Sequence, residues 1–188
     1  VYCGSSPGAD PQFAAAAAAL GRLLARHGIR LIYGGGHVGL MGVVADAALS
    51  EGGEVHGVIT QALEEKEIAH HGLTTLKVVE TMHERKAAMA DMADGFIMLP
   101  GGFGTLDEFF EAVTWTQLGV HAKPCGALNV NGFFDPLLGL FARATQQEFL
   151  RPEHRDLVIV EADPALMIRR LGSWVPLTVP KWLDRSER

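Results

Sequence analysis

Two rhythms of hydrophobic and polar positions alternate along the chain. Short aliphatic and β-branched runs at Arg30–Tyr33, Val55–Ile59, Leu76–Val79, Gly95–Leu99, Pro124–Val130 and Leu157–Val160 read as strands. Between them, apolar residues recur at helical spacing over Pro11–His27, Leu40–Glu51, Met82–Met92, Thr105–Leu118, Phe134–Phe149 and Pro164–Leu171. A short helix is expected over Gln61–Lys66, and Val1–Cys3 reads as a remnant of one more strand. Gly28 stands where a helix-closing C′ glycine belongs. His70–Thr75 has no clear period. Gly95–Leu99 carries no charge, as a strand covered on both faces requires. Strands alternating with helices imply right-handed crossovers, a mostly parallel sheet and helices on both faces. The expected fold class is α/β, as one doubly wound domain over residues 1–188, without linker or repeat.

Such a sheet places its ligand beyond the carboxyl ends of the strands, where the strand order reverses. Gly4–Gly8, Gly34–Gly39, Glu80–Lys86 and Pro100–Thr105 each follow a strand and precede a helix, so all four should gather on one edge.

Composition narrows what that edge can hold. With 48% hydrophobic and 20% charged residues the chain is globular, neither disordered nor collagen-like. Sixteen Lys and Arg against 22 Asp and Glu give a net charge of −6, which leaves no basic stripe for a nucleic-acid duplex. Cys3 and Cys125 are too few and too far apart for a disulfide framework or a zinc site, and the histidines are scattered. The blandest stretch, Phe13–Leu20, is much shorter than the roughly 20 residues of a membrane span. A cytoplasmic protein with no membrane or nucleic-acid partner is expected.

Gly34-x-Gly36-x-x-Gly39 has the spacing of a dinucleotide fingerprint. The following strand, however, ends at Thr60, where an acid would be needed to hold a ribose. Gly35 and Gly36 therefore belong either to a loop approaching a phosphate or ribose, or to a tight strand-to-helix turn. Pro100-Gly101-Gly102-Phe103-Gly104-Thr105 is more telling. Its glycines free backbone N–H groups, and the helix behind it offers its unpaired donors and positive dipole end to an anion. Thr105 is expected at the N-cap. No Walker lysine follows, so this is not an ATPase loop. Thr105 and Glu108 also have capping-box spacing, and that reading stays open. Arg85 and Lys86 put two cations in a first helical turn, against the dipole, which calls for a nearby phosphate or paired carboxylate. The local alternative is a Thr81–Glu84 capping box, with both cations meeting solvent or Asp91. Ser5 and Ser6 can contact a ligand or simply make a turn. Trp174 and Trp182 read as packing for the tail, and no GxSxG elbow of a serine hydrolase is present.

Taken together, Tyr33-Gly34-Gly35-Gly36-x-x-Gly39-Leu40-Met41-Gly42, Met82-His83-x-Arg85-Lys86 and Pro100-Gly101-Gly102-x-Gly104-Thr105-x-x-Glu108 resemble the Lonely Guy family of cytokinin riboside 5′-monophosphate phosphoribohydrolases. The likeness runs over nearly the whole chain. It implies a Rossmann-like domain that hydrolyses the N-glycosidic bond of an N6-modified adenosine monophosphate to free base and ribose 5-phosphate. Carried over, Arg85 and Glu108 are the catalytic pair. Lys86, Gly101, Gly102, Gly104 and Thr105 contact the nucleotide, with Thr114 and Glu67 near it. A homodimer or larger assembly, and no metal or organic cofactor, are implied. Two other readings remain: a non-catalytic nucleotide or cofactor carrier, which would keep the glycine loops but not need Arg85 and Glu108 together, and an enzyme acting on plain AMP, which shares every one of these residues. Lysine decarboxylation, a label the family has carried, is discounted because it usually needs pyridoxal phosphate on a Schiff-base lysine in a larger protein.

Overall fold

The computed structural model describes residues 1–66 and 69–176. Six strands, β1 (Leu31–Tyr33), β2 (Val55–Thr60), β3 (Thr75–Val79), β4 (Phe96–Met98), β5 (Cys125–Leu128) and β6 (Val158–Glu161), form two parallel three-stranded halves ordered β1-β2-β3 and β4-β5-β6. Tyr33 lies opposite Gly57 in the first half, and Met98 opposite Ala127 in the second. The N-terminal segment joins the halves. Tyr2 bridges Met98 in parallel, donating its N–H to Ile97 O and accepting from Leu99 N–H, both at 2.9 Å. On its other side the Val1 nitrogen donates to Ile32 O at 2.6 Å. The chain thus winds outward from its first residues through β1, β2 and β3, then returns to the centre and winds the other way from β4. The reversal falls between the N-terminal segment and β4.

Among the described residues eight α-helices flank the strands: α1 (Pro11–Arg26), α2 (Gly39–Ser50), α3 (Gln61–Glu64), α4 (Met82–Met92), α5 (Phe103–Gln117), α6 (Asp135–Gln146), α7 (Pro152–Arg155) and α8 (Pro164–Gly172). Helix α1 begins where the Asp10 carboxylate accepts from Gln12 N–H and Pro11 occupies the first turn. It closes at Gly28 with φ of 65°, as expected.

Strand alternation sorts the core into two layers. Cys3, Leu31, Tyr33, Ile97 and Leu99 pack with Leu20, Val44 and Met167 of α1, α2 and α8. Tyr2, Ile32, Phe96 and Met98 pack with Met89 and Phe109 of α4 and α5. Helices therefore cover both faces of the sheet. A fully buried side chain such as Leu20 or Phe109 contributes about 2 kcal/mol through apolar area removed from water.

Most element boundaries shift by a residue or two from the expected ones and α7 is an additional short helix, and three of the shifts have a clear local reason. Strand β5 stops at Leu128 because Asn129 turns the chain. Its Oδ1 accepts from Phe134 N–H at 2.7 Å, and Val130–Gly132 makes one 3-10 turn. Helix α6 ends at Gln146, short of Phe149, and Glu148 follows with φ of 62°. Helix α5 begins at Phe103, two residues before Thr105, which changes the site.

Candidate active site

The site is built from the first turn of α4 outward. Thr81 Oγ1 accepts from Glu84 N–H at 3.1 Å, and the Glu84 carboxylate accepts from Thr81 N–H at 3.4 Å and Glu80 N–H at 3.0 Å. This capping box fixes the turn and aims Arg85 inward, beneath the carboxyl ends of β1 and β2. There its Nε donates to Val58 O at 2.9 Å, Nη2 to Gly34 O at 3.1 Å and Nη1 to Glu108 Oε1 at 2.7 Å. Arg85 is only 6% exposed. The capping box and the paired carboxylate, posed as alternatives from sequence, are both present. A Cβ at residue 34 would run into the Arg85 guanidinium, so glycine is required there.

The early start of α5 corrects the reading of Thr105. The N-cap is Gly102, extended at φ −99° and ψ −153°, and Thr105 is the third helical residue, buried. The Thr105–Glu108 capping box is absent because the Glu108 carboxylate is held by Arg85 instead. With no side chain, Gly102 lets the helix begin directly after the loop. No side chain caps it, so the first N–H groups of α5 face outward without a helical carbonyl. The Thr105 side chain fills the space beside Gly101, where a Cβ would collide with it. Gly102 and Gly104 are exposed, with open space where a Cβ would stand.

Beside this turn lies a cavity of about 310 Å³ at the strand-order reversal. Gly4–Gly8 and Pro100–Gly102 form one wall, and Phe13, Leu40 and Phe133 the other. Gly4 N–H donates to Pro100 O, and Leu40 N–H to Gly4 O, both at 3.0 Å, which stitches the glycine loops together. With Arg85 supplied by the first turn of α4, all four predicted segments meet at one edge. A larger cavity of about 410 Å³, lined by Leu24, Ile29, Met92 and Pro124 among others, includes none of the predicted residues.

Charge at the site is concentrated in two cross-helix contacts. Glu108 is held by Arg85, and its side chain is 11% exposed. Burial pushes the Glu108 carboxyl above the usual carboxylate range, more than the neighbouring Arg85 guanidinium pulls it down. One residue along, Lys86 Nζ lies 3.2 Å from Asp107 and 3.3 Å from Glu111. Burial lowers the ammonium's pKa, but these two carboxylates outweigh it and hold the group above the ordinary lysine value.

The remaining predicted residues lie at varied distances from this centre. Gly35 and Gly36 are buried in the turn after β1. Gly35 O accepts from His70 N–H at 3.0 Å, and Gly36 bridges Ala69. Neither lines the 310 Å³ cavity. Thr114 is exposed on the face of α5 that carries Asp107 and Glu111. It stands nine residues beyond Thr105, about 13 Å along the helix at 1.5 Å per residue. Glu67 and Trp182 lie outside the described residues. Ser6 serves its own turn, its Oγ accepting from Gly8 N–H at 3.3 Å. Sequence reasoning missed Asp107 and Glu111, whose i, i+4 spacing on α5 carries no local sign of the lysine they meet. It also missed Phe133, which no local signal connects to the site. Among the described residues no cluster of His, Cys, Asp and Glu could hold a metal ion, and no helix is long and apolar enough to cross a membrane.

A parallel sheet whose order reverses at an uncapped, glycine-lined helix start, beside a buried Arg–Glu pair, defines a Rossmann-like α/β protein. Residues 41–171 match the family described as "Possible lysine decarboxylase". A cytokinin riboside 5′-monophosphate phosphoribohydrolase of Rhodococcoides fascians is 50% identical over 164 residues, 87% of this chain and 83% of that protein. One of Oryza sativa subsp. japonica is 44% identical over 176 residues, 94% of this chain and 73% of that protein. The chain belongs to this family, the Lonely Guy phosphoribohydrolases. Among solved structures, the molybdenum cofactor binding protein of Rippkaea orientalis superposes with a TM-score of 0.69 over 91% of this chain and 93% of its own. At 23% identity that likeness concerns the fold alone.

Proposed function

We propose that this protein hydrolyses the N-glycosidic bond of a cytokinin riboside 5′-monophosphate, or a similar N6-modified adenosine monophosphate, releasing free base and ribose 5-phosphate. The observation that carries the reading is the buried Arg85–Glu108 pair at 2.7 Å, held next to the open Gly102–Gly104 turn. The names of its 50% and 44% identical relatives support the same activity. A carrier needs the cradle but not a desolvated carboxylate set beside it.

In this reading the 5′-phosphate rests on the outward N–H groups at Gly102, Gly104 and Thr105, favoured by the helix dipole. Gly101 shapes the wall, and the buried Gly35–Gly36 turn lies behind it. Glu108, one to two turns into α5, lies within reach of the ribose attached to that phosphate. As the C1′–N bond breaks, the electron pair leaves with the base, which takes up a proton, and positive charge develops on C1′ and the ring oxygen. The Glu108 carboxylate stabilises that charge and orients the water whose oxygen bonds to C1′, and the proton this water releases balances the one taken up by the base. Arg85 holds Glu108 ionised and fixed in direction, since its other two donors are locked on Val58 O and Gly34 O. The remote phosphate contributes orientation, so monophosphates are preferred over free nucleosides.

Lysine decarboxylation is not supported. Lys86, the lysine at this edge, is committed to two carboxylates, and Lys123 Nζ donates to Ala90 O at 2.7 Å away from the cavity. The protein is further proposed to act as one cytoplasmic domain and as a homodimer, with exposed apolar residues such as Val78 and Met82 at the margin of α4 covered by the second copy.

The test is chromatography of base release from isopentenyl-AMP, AMP and the dephosphorylated isopentenyl nucleoside. Release from monophosphates only is expected, and the ratio between the two monophosphates sets the substrate class. Tight nucleotide binding without base release from any of them would leave a carrier.

A further inference from the structure

The turn after β1 has three consecutive glycines, Gly34–Gly36, and no side chain of its own to hold its shape. Such a run loses the most conformational freedom on folding, so its order has to come from partners outside it. Gly34 O accepts from Arg85 Nη2, Gly35 O accepts from His70 N–H at 3.0 Å, and Gly36 bridges Ala69. The last two contacts come from the segment 69–74, which runs beside the turn on its way to β3. His70 is the fixed point of that segment and is 7% exposed. Its Nδ1 accepts from Gly72 N–H at 3.2 Å, which leaves the ring proton on Nε2, and Nε2 donates to Asp46 Oδ1 of α2 at 2.8 Å. The ring of His37, the residue after Gly36, meets it edge-on with centroids 5.9 Å apart. Further along, Thr74 exchanges two hydrogen bonds with Val55 of β2, both at 3.0 Å.

We infer that His70 and Asp46 are positioning residues for the reaction: they clamp the segment 69–74 onto the glycine turn, and the clamped turn holds Gly34 O where it orients Arg85 toward Glu108. The inference rests on the phosphoribohydrolase reading and goes beyond it, since neither side chain bonds to Arg85, Glu108 or the start of α5.

A guanidinium is planar, and its direction is set by where its acceptors stand. Val58 O takes Nε and Gly34 O takes Nη2, which leaves Nη1 pointing at Glu108. Val58 belongs to β2, which is paired with both β1 and β3 and holds its position without help. Gly34 belongs to the glycine run, where a carbonyl can swing with little steric resistance. The clamp removes that freedom by closing a ring. The turn leads directly into α2, Asp46 stands seven residues into that helix, and His70 returns from Asp46 to Gly35. If His70 served only its own segment, loosening it would leave Arg85 as it is.

That difference is read by nitrogen-15 NMR of the Arg85 guanidinium in the intact, ligand-free protein, with its signals assigned by their loss in Arg85→Lys. No turnover is needed, so the result is decided separately from the activity assay. Asp46 is the safer site to perturb, because its side chain is 66% exposed and lies about 10 Å along α2 from the turn. In Asp46→Ala and in His70→Ala, proton exchange at the Arg85 Nη groups should be at least about fivefold faster than in the parent, with Nε on Val58 O changed less than about twofold. Nη exchange within about twofold of the parent in Asp46→Ala overturns the inference, whether or not His70→Ala folds. In turnover of the monophosphate, both variants should lose about fivefold or more in kcat with KM changed less than about threefold. His70→Gln, whose amide nitrogen can reach Asp46 as Nε2 does, should restore much of that loss. An unchanged kcat, or a KM rise of about tenfold or more at constant kcat, overturns the positioning role. If the parent releases no base either, the phosphoribohydrolase reading falls, and the Arg85 signals still decide whether the clamp holds the guanidinium.

Discussion

Replacing Arg85 with alanine should unsettle the whole fold as well as the chemistry, because the guanidinium is buried and all its contacts are internal. Removing one partner of a buried ion pair costs about 3–5 kcal/mol, since it strands the other charge out of water. The carbonyls of Val58 and Gly34 each lose a donor as well, although water admitted into the vacated space recovers part of that loss. A net loss of about 4 kcal/mol is a large fraction of the roughly 5–15 kcal/mol that stabilises a typical domain. For a chain of this size it corresponds to a fall in Tm of about 8–16 °C. The loss should depend on pH in a definite direction. Without Arg85 the buried Glu108 carboxyl lies further above the ordinary glutamate value of 4.5. A carboxyl raised in the folded state favours folding at low pH, and that benefit disappears as pH rises through its folded pKa. The deficit should therefore be small near about pH 4.5 and grow toward about pH 8. Urea unfolding of the parent and of Arg85→Ala at both pH values measures it, and Arg85→Met/Glu108→Leu should recover most of the loss by removing both charges. A deficit under about 1 kcal/mol, or one flat with pH, would refute the buried pair as the element holding α4, α5 and the sheet edge together.

Other outcomes follow from the same geometry. Gly101→Ala drives a Cβ into Thr105 and should cost about 1–3 kcal/mol in urea unfolding while weakening monophosphate binding, seen by calorimetry. Phe103 is 93% exposed, so Phe103→Ala should leave unfolding within about 0.5 kcal/mol of the parent. In the proposed mechanism Glu108 acts in its ionised form, and because burial raises its pKa the acid limb of the kcat profile should fall above the ordinary glutamate value, as a pH series on the monophosphate will show.

Much of this was legible in the sequence because it depends on local signals. Met82–Met92 was bounded to the residue, since Thr81 and Glu84 form a cap that spacing alone identifies. The convergence of four loops followed from topology, because every strand in a parallel, doubly wound sheet delivers its loop to the same edge. The rotation of α5 was not legible. Thr105 looks like an N-cap by residue type, and only the packing of its side chain against Gly101 makes Gly102 the cap instead. That shift decides whether Glu108 bonds back to its own helix or reaches Arg85. The clamp on Lys86 was missed for a similar reason. Asp107 and Glu111 are ordinary helix-surface acids until the crossing of α4 over α5 brings a lysine between them. Phe133 reaches the cavity through the 3-10 turn set up by Asn129, a tertiary arrangement with no periodic signal.

The proposed function turns on cleavage of the glycosidic bond by Glu108 beside a separately anchored phosphate. Its most direct test is Glu108→Gln on isopentenyl-AMP, with base and ribose 5-phosphate quantified together and monophosphate affinity measured in the same preparation. Equal amounts of the two products are expected from the parent, with a fall in kcat of about 100-fold or more in the variant and affinity held within about threefold. Undiminished base release by Glu108→Gln would contradict it.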